Sequence, residues 1–386
     1  MRPYPSIERA RALAALALAA AVAAVPAVSA EAMTGQAPPA PHAATSALTG
    51  TGVLNSVVAT SAKNAWAVGH YGGLIRSKAL IEHWNGTAWH RLGLTPAGGW
   101  LNGVAATSAS DVWAVGYAGS RALILHFNGK RWRRIASPAL PGVQSILADV
   151  TAISAGNAWA VGLAGKKTLI EHWNGRTWTR VASPSPSGNA FLIGIAAASA
   201  HDIWAVGSGD GTVILHWNGS VWRRVHSPSP HPAAELDRVT VISARDAWAV
   251  GSSGRGTLVV HWNGTAWQRT SSPAVRRTAG LTNVSGTSAH NVWAVGATAG
   301  VAAGSAAVTR PVPDVAAAAV NTVPVVMHWN GTAWRRTSVP VPINGGQLIG
   351  VYAASGRSAW AVGCTRNFAA RKAKPLVLRW NGTAWK

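Results

Sequence analysis

Trp66-Ala67-Val68-Gly69, followed by His83-Trp84-Asn85-Gly86-Thr87-Ala88-Trp89, is the stretch whose reading decides the fold. It recurs seven times with small changes. The first Trp of the Trp-Ala-Val-Gly element falls at Trp66, Trp113, Trp159, Trp204, Trp248, Trp293 and Trp360. The second anchor falls at Trp84, Phe127, Trp173, Trp217, Trp262, Trp329 and Trp380. Steps of the first anchor are 44–47 residues until the last, which is 67 because of an Ala/Val/Pro-rich insertion, residues 297–324. A repeat of roughly 40–50 residues made only of strand-like pieces predicts blades of four strands. The expected architecture is all-β, a seven-bladed β-propeller of four-stranded antiparallel blades over residues 53–386.

Within the first copy, Val53 to Ser61 reads as the inner strand, Ala65 to Gly69 as the second and Leu80 to Trp84 as the third, with alternating faces. Asn85-Gly86 predicts a tight hairpin turn into a fourth strand that begins at Thr87-Ala88-Trp89. Asn-Gly-Thr is also a glycosylation acceptor pattern at Asn85, Asn263, Asn330 and Asn381, although repeated use of one turn favours a structural reason. The turn before each second strand carries Asn64, Asp111, Asn157, Asp202, Asp246, Asn291 or Ser358. Short polar side chains there suit bonds to neighbouring backbone amides, and Asn and Ser exclude an acidic catalytic ring. Of the 21 Trp, all but Trp100 sit on three repeat positions, which predicts a blade-packing core. His83, His126, His172, His216, His261 and His328 lie beside core Trp in separate blades, with Arg379 in the seventh place. They read as hydrogen-bonding structural histidines, and no metal site is expected.

Outside the repeats, Arg2, Arg9 and Arg11 precede an apolar run from Ala12 to Val28, and Val28-Ser29-Ala30 ends in small residues. Residues 1–30 therefore read as a secretory signal peptide, with a membrane-anchoring helix as the alternative. Residues 31–52 read as a flexible lead-in. Because the last repeat stops at Trp385-Lys386, residues 43–51 are expected to fold back and complete its outer strand. The net charge of +22 arises from only 12 Asp plus Glu against 34 Lys plus Arg. Removing the signal leaves about +20, suited to anionic polymers once exported. Cys364, the single cysteine, excludes an intrachain disulfide and cysteine-rich zinc sites. It is expected to be buried. Paired cations on the fourth strands, Arg133-Arg134, Arg223-Arg224 and Arg335-Arg336, read either as protection of exposed blade edges from strand pairing or as a belt that grips a polyanion.

The chain resembles kelch-like secreted β-propellers over residues 53–386, through the Gly-ended Trp-Ala-Val-Gly strand and the aromatic pair Trp84 and Trp89 that follows it. It departs from kelch in having Val-Gly for the double Gly and a closer aromatic pair, and it lacks the Gly-His and Trp-Asp pairs of WD repeats. The resemblance implies a fold and leaves the activity open, because propellers host unrelated functions.

Binding residues are expected on the face that carries the second-to-third-strand loops and the links between blades, which vary while the opposite turns are uniform. Candidates are Trp100, which begins an inner strand at the channel mouth, with Phe191 and Glu235 in matching places. Tyr71, Tyr117, Arg121, Lys166 and Arg255 sit in the loops. Aromatics mixed with cations suit stacking on sugars and pairing with phosphate or carboxylate. The leading expectation is an extracellular, monomeric binding module for a glycan, an anionic cell-wall polymer or a protein partner, with no catalytic residue, cofactor, specific nucleic acid or membrane span in the mature chain. The alternative is a propeller enzyme, either a glycoside hydrolase or lyase, for which Glu235 and Asp237 are the residual acid pair, or a galactose-oxidase-like oxidase built on Cys364 and Tyr352. A third class is an assembly role with residues 297–324 as a docking arm.

Overall fold

The computed structural model describes residues 50–386 apart from 73–76, 94–97, 187–188, 255, 274, 276–278, 299–321, 341, 343–344 and 368–371. The expected signal and lead-in up to residue 49, and most of the 297–324 insertion, lie outside the described residues. What is described is a seven-bladed β-propeller with no helix. Blade 1 runs outward through Val53–Ser61, Asn64–Tyr71, Lys78–Trp84 and Trp89–Arg91, each strand antiparallel to the last. Blades 2 to 6 repeat this order. In blade 7, Gly346–Ser355, Ser358–Asn367 and Lys372–Trp380 form three strands, and Trp385 pairs with Trp380 where a fourth begins.

Each inner strand carries a bulge after its Leu, seen in blade 1 as a register shift between Leu54 and Ser56. Beside it, the Gly of Trp-Ala-Val-Gly has no substitute: a Cβ at Gly69 would lie 1.9 Å from the Val53 carbonyl oxygen. The same clash recurs at Gly116, Gly162, Gly207, Gly251, Gly296 and Gly363. The repeat glycine therefore exists to let two strands approach at the channel wall.

Trp packs the blades together. Each Trp-Ala-Val-Gly indole stacks on the His of its own blade, with centroids 4.1–4.2 Å apart in six blades. It also enters the aromatic pair of the next blade, as Trp113 does against Trp173 at 5.0 Å and edge-on Trp178 at 5.2 Å. The ring closes by the same device, since Trp360 meets Trp84 and Trp89 of blade 1, both at 5.3 Å. Here Arg379 takes the histidine's part, its guanidinium 5.1 Å over the Trp360 ring. Gly52 N–H donates to the Ala373 carbonyl at 2.9 Å, the blade-to-blade bond that Gly99 makes to Ser77 and Ala190 to Lys166.

Three sequence expectations change in detail. The Asn-Gly hairpin is a four-residue loop, not a two-residue turn, because strand pairing stops at Trp84–Trp89. Asn85 Oδ1 accepts the amides of Thr87 and Ala88, both at 2.9 Å, so a side chain replaces a backbone acceptor while Gly86 takes φ +101. In blades 2 to 6 the Asp or Asn of the first turn reaches across to the histidine rather than to backbone amides: His126 Nε2 lies 2.6 Å from Asp111, His216 2.8 Å from Asp202 and His328 2.9 Å from Asn291, whereas in blade 1 Asn64 Oδ1 and His83 Nε2 are buried without a hydrogen-bond partner. The turn amides are capped instead by the preceding Ser, as by Ser199 on His201 N–H. Finally, the His-Trp-Asn-Gly tryptophans are half-buried, with indole N–H groups tied to the facing turn, as Trp173 is to the Ala155 carbonyl at 3.0 Å.

Candidate functional site

The loop face gathers some predicted residues and separates others. Trp100 opens the inner strand of blade 2 and pairs in register with Tyr117, whose ring lies nearly parallel at 5.9 Å. His70 of blade 1 stacks on Trp100 at 3.5 Å with 12° between the planes. The three half-buried rings form a ladder across the blade 1–blade 2 seam at the channel mouth. Burial lowers the His70 pKa to about 4, so the ladder is uncharged at neutral pH. Its Nδ1 is buried with no hydrogen-bond partner. His70 thus covers one face of Trp100 and Tyr117 stacks beside it, which leaves the edge of the ladder for a ligand.

Tyr71 lies apart from this ladder. It packs toward blade 7, with the Arg91 guanidinium 5.3 Å over its ring, and Arg91 is itself held by Glu82 at 2.9 Å. Phe191 is half-buried in blade 4, away from the ladder. Arg121 and Lys166 are exposed at the second-to-third-strand connections of blades 2 and 3, joined by exposed Lys78 and Lys167. Arg255 lies outside the described residues. In blade 4 the equivalent connection carries exposed Asp210, and blade 7 carries exposed Lys374, so among the described residues the loop face is basic at blades 1 to 3 and 7 and has an acid at blade 4.

Glu235 and Asp237 do come together in blade 5. Burial raises both carboxyls, and the neighbouring Glu235 charge pushes Asp237 further, well above the ordinary range. Next to them is the residue that sequence reasoning missed. Arg238 reaches out of blade 5, donating to the Ile193 carbonyl at 2.5 Å and to the Asn102 carbonyl of blade 2 at 3.4 Å, and lies 3.4 Å from Asp149 of blade 3. Asp149 in turn accepts the Ile195 amide at 3.1 Å. This side chain bridges four blades and bars the channel beneath its mouth. Asn55 and Asn102 add blade-to-blade bonds to the Leu101 and Leu147 carbonyls, both at 2.8 Å. The clue was available in the column Ser56, Gly103, Asp149, Gly194, Arg238, Asn283, Gly350, where opposite charges stand among small residues.

The oxidase arrangement is not assembled. Cys364, 1% exposed, sits opposite Gln347, whereas Tyr352 sits opposite Trp360 farther along the same strand pair. Among the described residues no group of His, Cys, Asp or Glu is arranged to hold a metal ion, and no helix is long and apolar enough to cross a membrane.

No family model matches the chain, and no curated protein sequence matches it. Solved structures do. YCF48 bound to D1 peptide aligns with TM-score 0.55 and 16% identity over 86% of this chain and 93% of that one. The WD40 propeller domain of Doa1 gives 0.53 and 12% over 85% and 94%. The GH74 enzyme of Niastella koreensis gives 0.57 and 12%, covering 88% of this chain but 55% of that larger one. Identities this low carry the fold alone, and they do not show the kelch-like family. The chain is a seven-bladed propeller similar in fold to WD40 and GH74 propellers.

Proposed function

We propose that the protein is an extracellular, non-catalytic binding module whose loop face holds an anionic glycan or cell-wall polymer. The observation that supports this is the one-sided loop face: exposed Lys78, Arg121, Lys166 and Lys167 flank the His70–Trp100–Tyr117 ladder, while blade 4 offers Asp210. Cations draw a polyanion and the ladder's open edge packs on a sugar ring. Arg238 bars the channel, so the ligand rests on the mouth rather than threading through it. The test is binding to neutral and anionic polysaccharides across a salt series. Affinity for an anionic glycan that falls with salt yet keeps a salt-resistant part removed by Trp100→Ala supports this reading. Binding to every polyanion alike, abolished by salt and indifferent to Trp100→Ala, reduces it to net charge.

A catalytic reading rests on one observation, the Glu235–Asp237 pair, in which burial raises both carboxyls and the Glu235 charge raises Asp237 further, the direction that a general acid requires. Hydrolysis of a bound glycan that disappears in Glu235→Gln and Asp237→Asn would move the protein into that class.

A further inference from the structure

The residue at each inner-strand bulge follows the strand's Leu, and in blades 1, 2 and 6 its side chain ties one blade to the next. Asn55 donates to the Leu101 carbonyl at 2.8 Å, Asn102 to the Leu147 carbonyl at 2.8 Å and Thr282 to the Leu348 carbonyl at 3.0 Å. In blade 5 the bulged residue is Asp237, passed over by the register between Leu236 and Arg238 as Asn55 is between Leu54 and Ser56. The repeat therefore turns its carboxyl toward the Leu281 carbonyl of blade 6. A carboxylate does not suit that place, because it has no hydrogen to give and sets a negative oxygen against a carbonyl oxygen.

The surroundings do not favour the charge either. Asp237 is 6% exposed, and among the described residues it has no cation at ion-pair distance. Asp149, equally buried, shows what a buried carboxylate needs: Arg238 at 3.4 Å and the Ile195 amide. Arg238 follows Asp237 in the chain but extends away from it, to the Ile193 and Asn102 carbonyls and Asp149. Glu235, two residues earlier, contributes like charge. Against this strand pack the inner strands of blades 4 and 6, the second strands of blades 4 and 5 and the third strand of blade 4. They bring only Asp202, His216 and Asp246, held at the turn end in Asp–His pairs. Burial and the Glu235 charge accordingly push the Asp237 carboxyl well above its ordinary range.

We propose that Asp237 is a neutral carboxylic acid in the folded protein, that its O–H donates to the Leu281 carbonyl, and that loss of this proton loosens the seam between blades 5 and 6. The role needs no ligand and is independent of the glycan reading. The unfolded chain gives up this proton near pH 4, whereas the folded chain keeps it to higher pH. Asp237 therefore lowers stability progressively as the pH rises above about 4, until the folded carboxyl itself ionises, and its cost is constant beyond that point.

The test compares wild type, Asp237→Asn and Asp237→Ile in thermal melts from about pH 4 to 9. Asn keeps the shape and a donor, and Ile occupies the same place in blades 4 and 7 as Ile193 and Ile349. Near the acid end, wild type and Asp237→Asn should melt together, with Asp237→Ile lower by about 2 °C or more. As the pH rises the wild type should fall away from Asp237→Asn, while the gap between the two variants stays constant. An infrared difference spectrum of wild type minus Asp237→Asn at neutral pH should show the carbonyl band of a carboxylic acid. The same band in a Glu235→Gln background assigns it to Asp237 rather than to its neighbour. Carboxylate bands in its place, a gap between wild type and Asp237→Asn that does not change with pH, or Asp237→Ile as stable as Asp237→Asn would each overturn the proposal. So would failure of Asp237→Asn to fold, since Asn is the repeat's own residue there.

Discussion

The two ends of the propeller obey different rules. At the turn end, the Asn-Gly-x-x loop recurs in all seven blades, the Trp-His pair in blades 1 to 6 and its bonded Asp or Asn partner in blades 2 to 6. At the loop end, one seam carries three stacked rings and one blade extends an arginine across the channel. The turn end repeats because every blade must solve the same packing problem against the next. The loop end carries no such demand, so its residues are free to differ, and the difference marks where binding is sought.

If the comparison holds, substitution at the turn end damages the fold and substitution at the loop end damages binding. The largest effect is expected for Trp248→Ala, which empties the sandwich between blades 5 and 6, where the indole meets Trp329 at 4.8 Å and Trp334 at 5.3 Å. A loss of about 3–5 kcal/mol in denaturant unfolding is expected. Asp246→Ala deprives His261 of its partner at 2.9 Å and should cost about 1–2 kcal/mol. Trp100→Ala removes partial stacking only and should cost about 1 kcal/mol while reducing glycan affinity. A Trp100 variant as unstable as Trp248→Ala would erase the distinction between the ends.

Acidification sharpens the contrast through His70. Its folded pKa near 4 lies below the ordinary 6.5, so the unfolded chain takes up the proton first. Stability from this group is complete above about pH 6.5 and falls as the pH drops toward 4, by about 1–2 kcal/mol at pH 5. Glu171 acts with the opposite sign: raised to about 7, it costs stability as the pH climbs from 4.5 to 7. His70→Phe should flatten the acid limb of a melting-temperature profile, and Glu171→Gln should raise the neutral limb. The smallest effect is expected for Arg379→His, which restores the repeat residue over Trp360 and should shift stability by less than about 1 kcal/mol in a thermal melt.

The repeat made the blade count, the strand order and the buried Trp positions legible, because packing between blades selects the same residue at the same place. Histidine's structural role was readable for the same reason, although its partner was not, since a turn residue gives no sign of which strand it faces. Trp100 stood out as the tryptophan off the pattern, yet His70 on its face did not, because contact across a seam belongs to two repeats. Arg238 escaped for a similar reason: a channel-crossing side chain meets Asn102 and Asp149, which local sequence does not join.

The most direct measurement is a charge-matched comparison of the two faces. One variant reverses Arg121, Lys166 and Lys167 to Glu on the loop face. The other reverses Lys63, Arg245 and Arg357 to Glu in the opposite turns, so both carry the same net charge. Each is titrated with an anionic polysaccharide at low and at physiological salt. The account predicts that the loop-face variant loses at least tenfold in affinity while the turn-face variant binds within about twofold of the wild type. Equal loss in both would mean that the protein attracts anions by overall charge, and that the loop face is not a binding site.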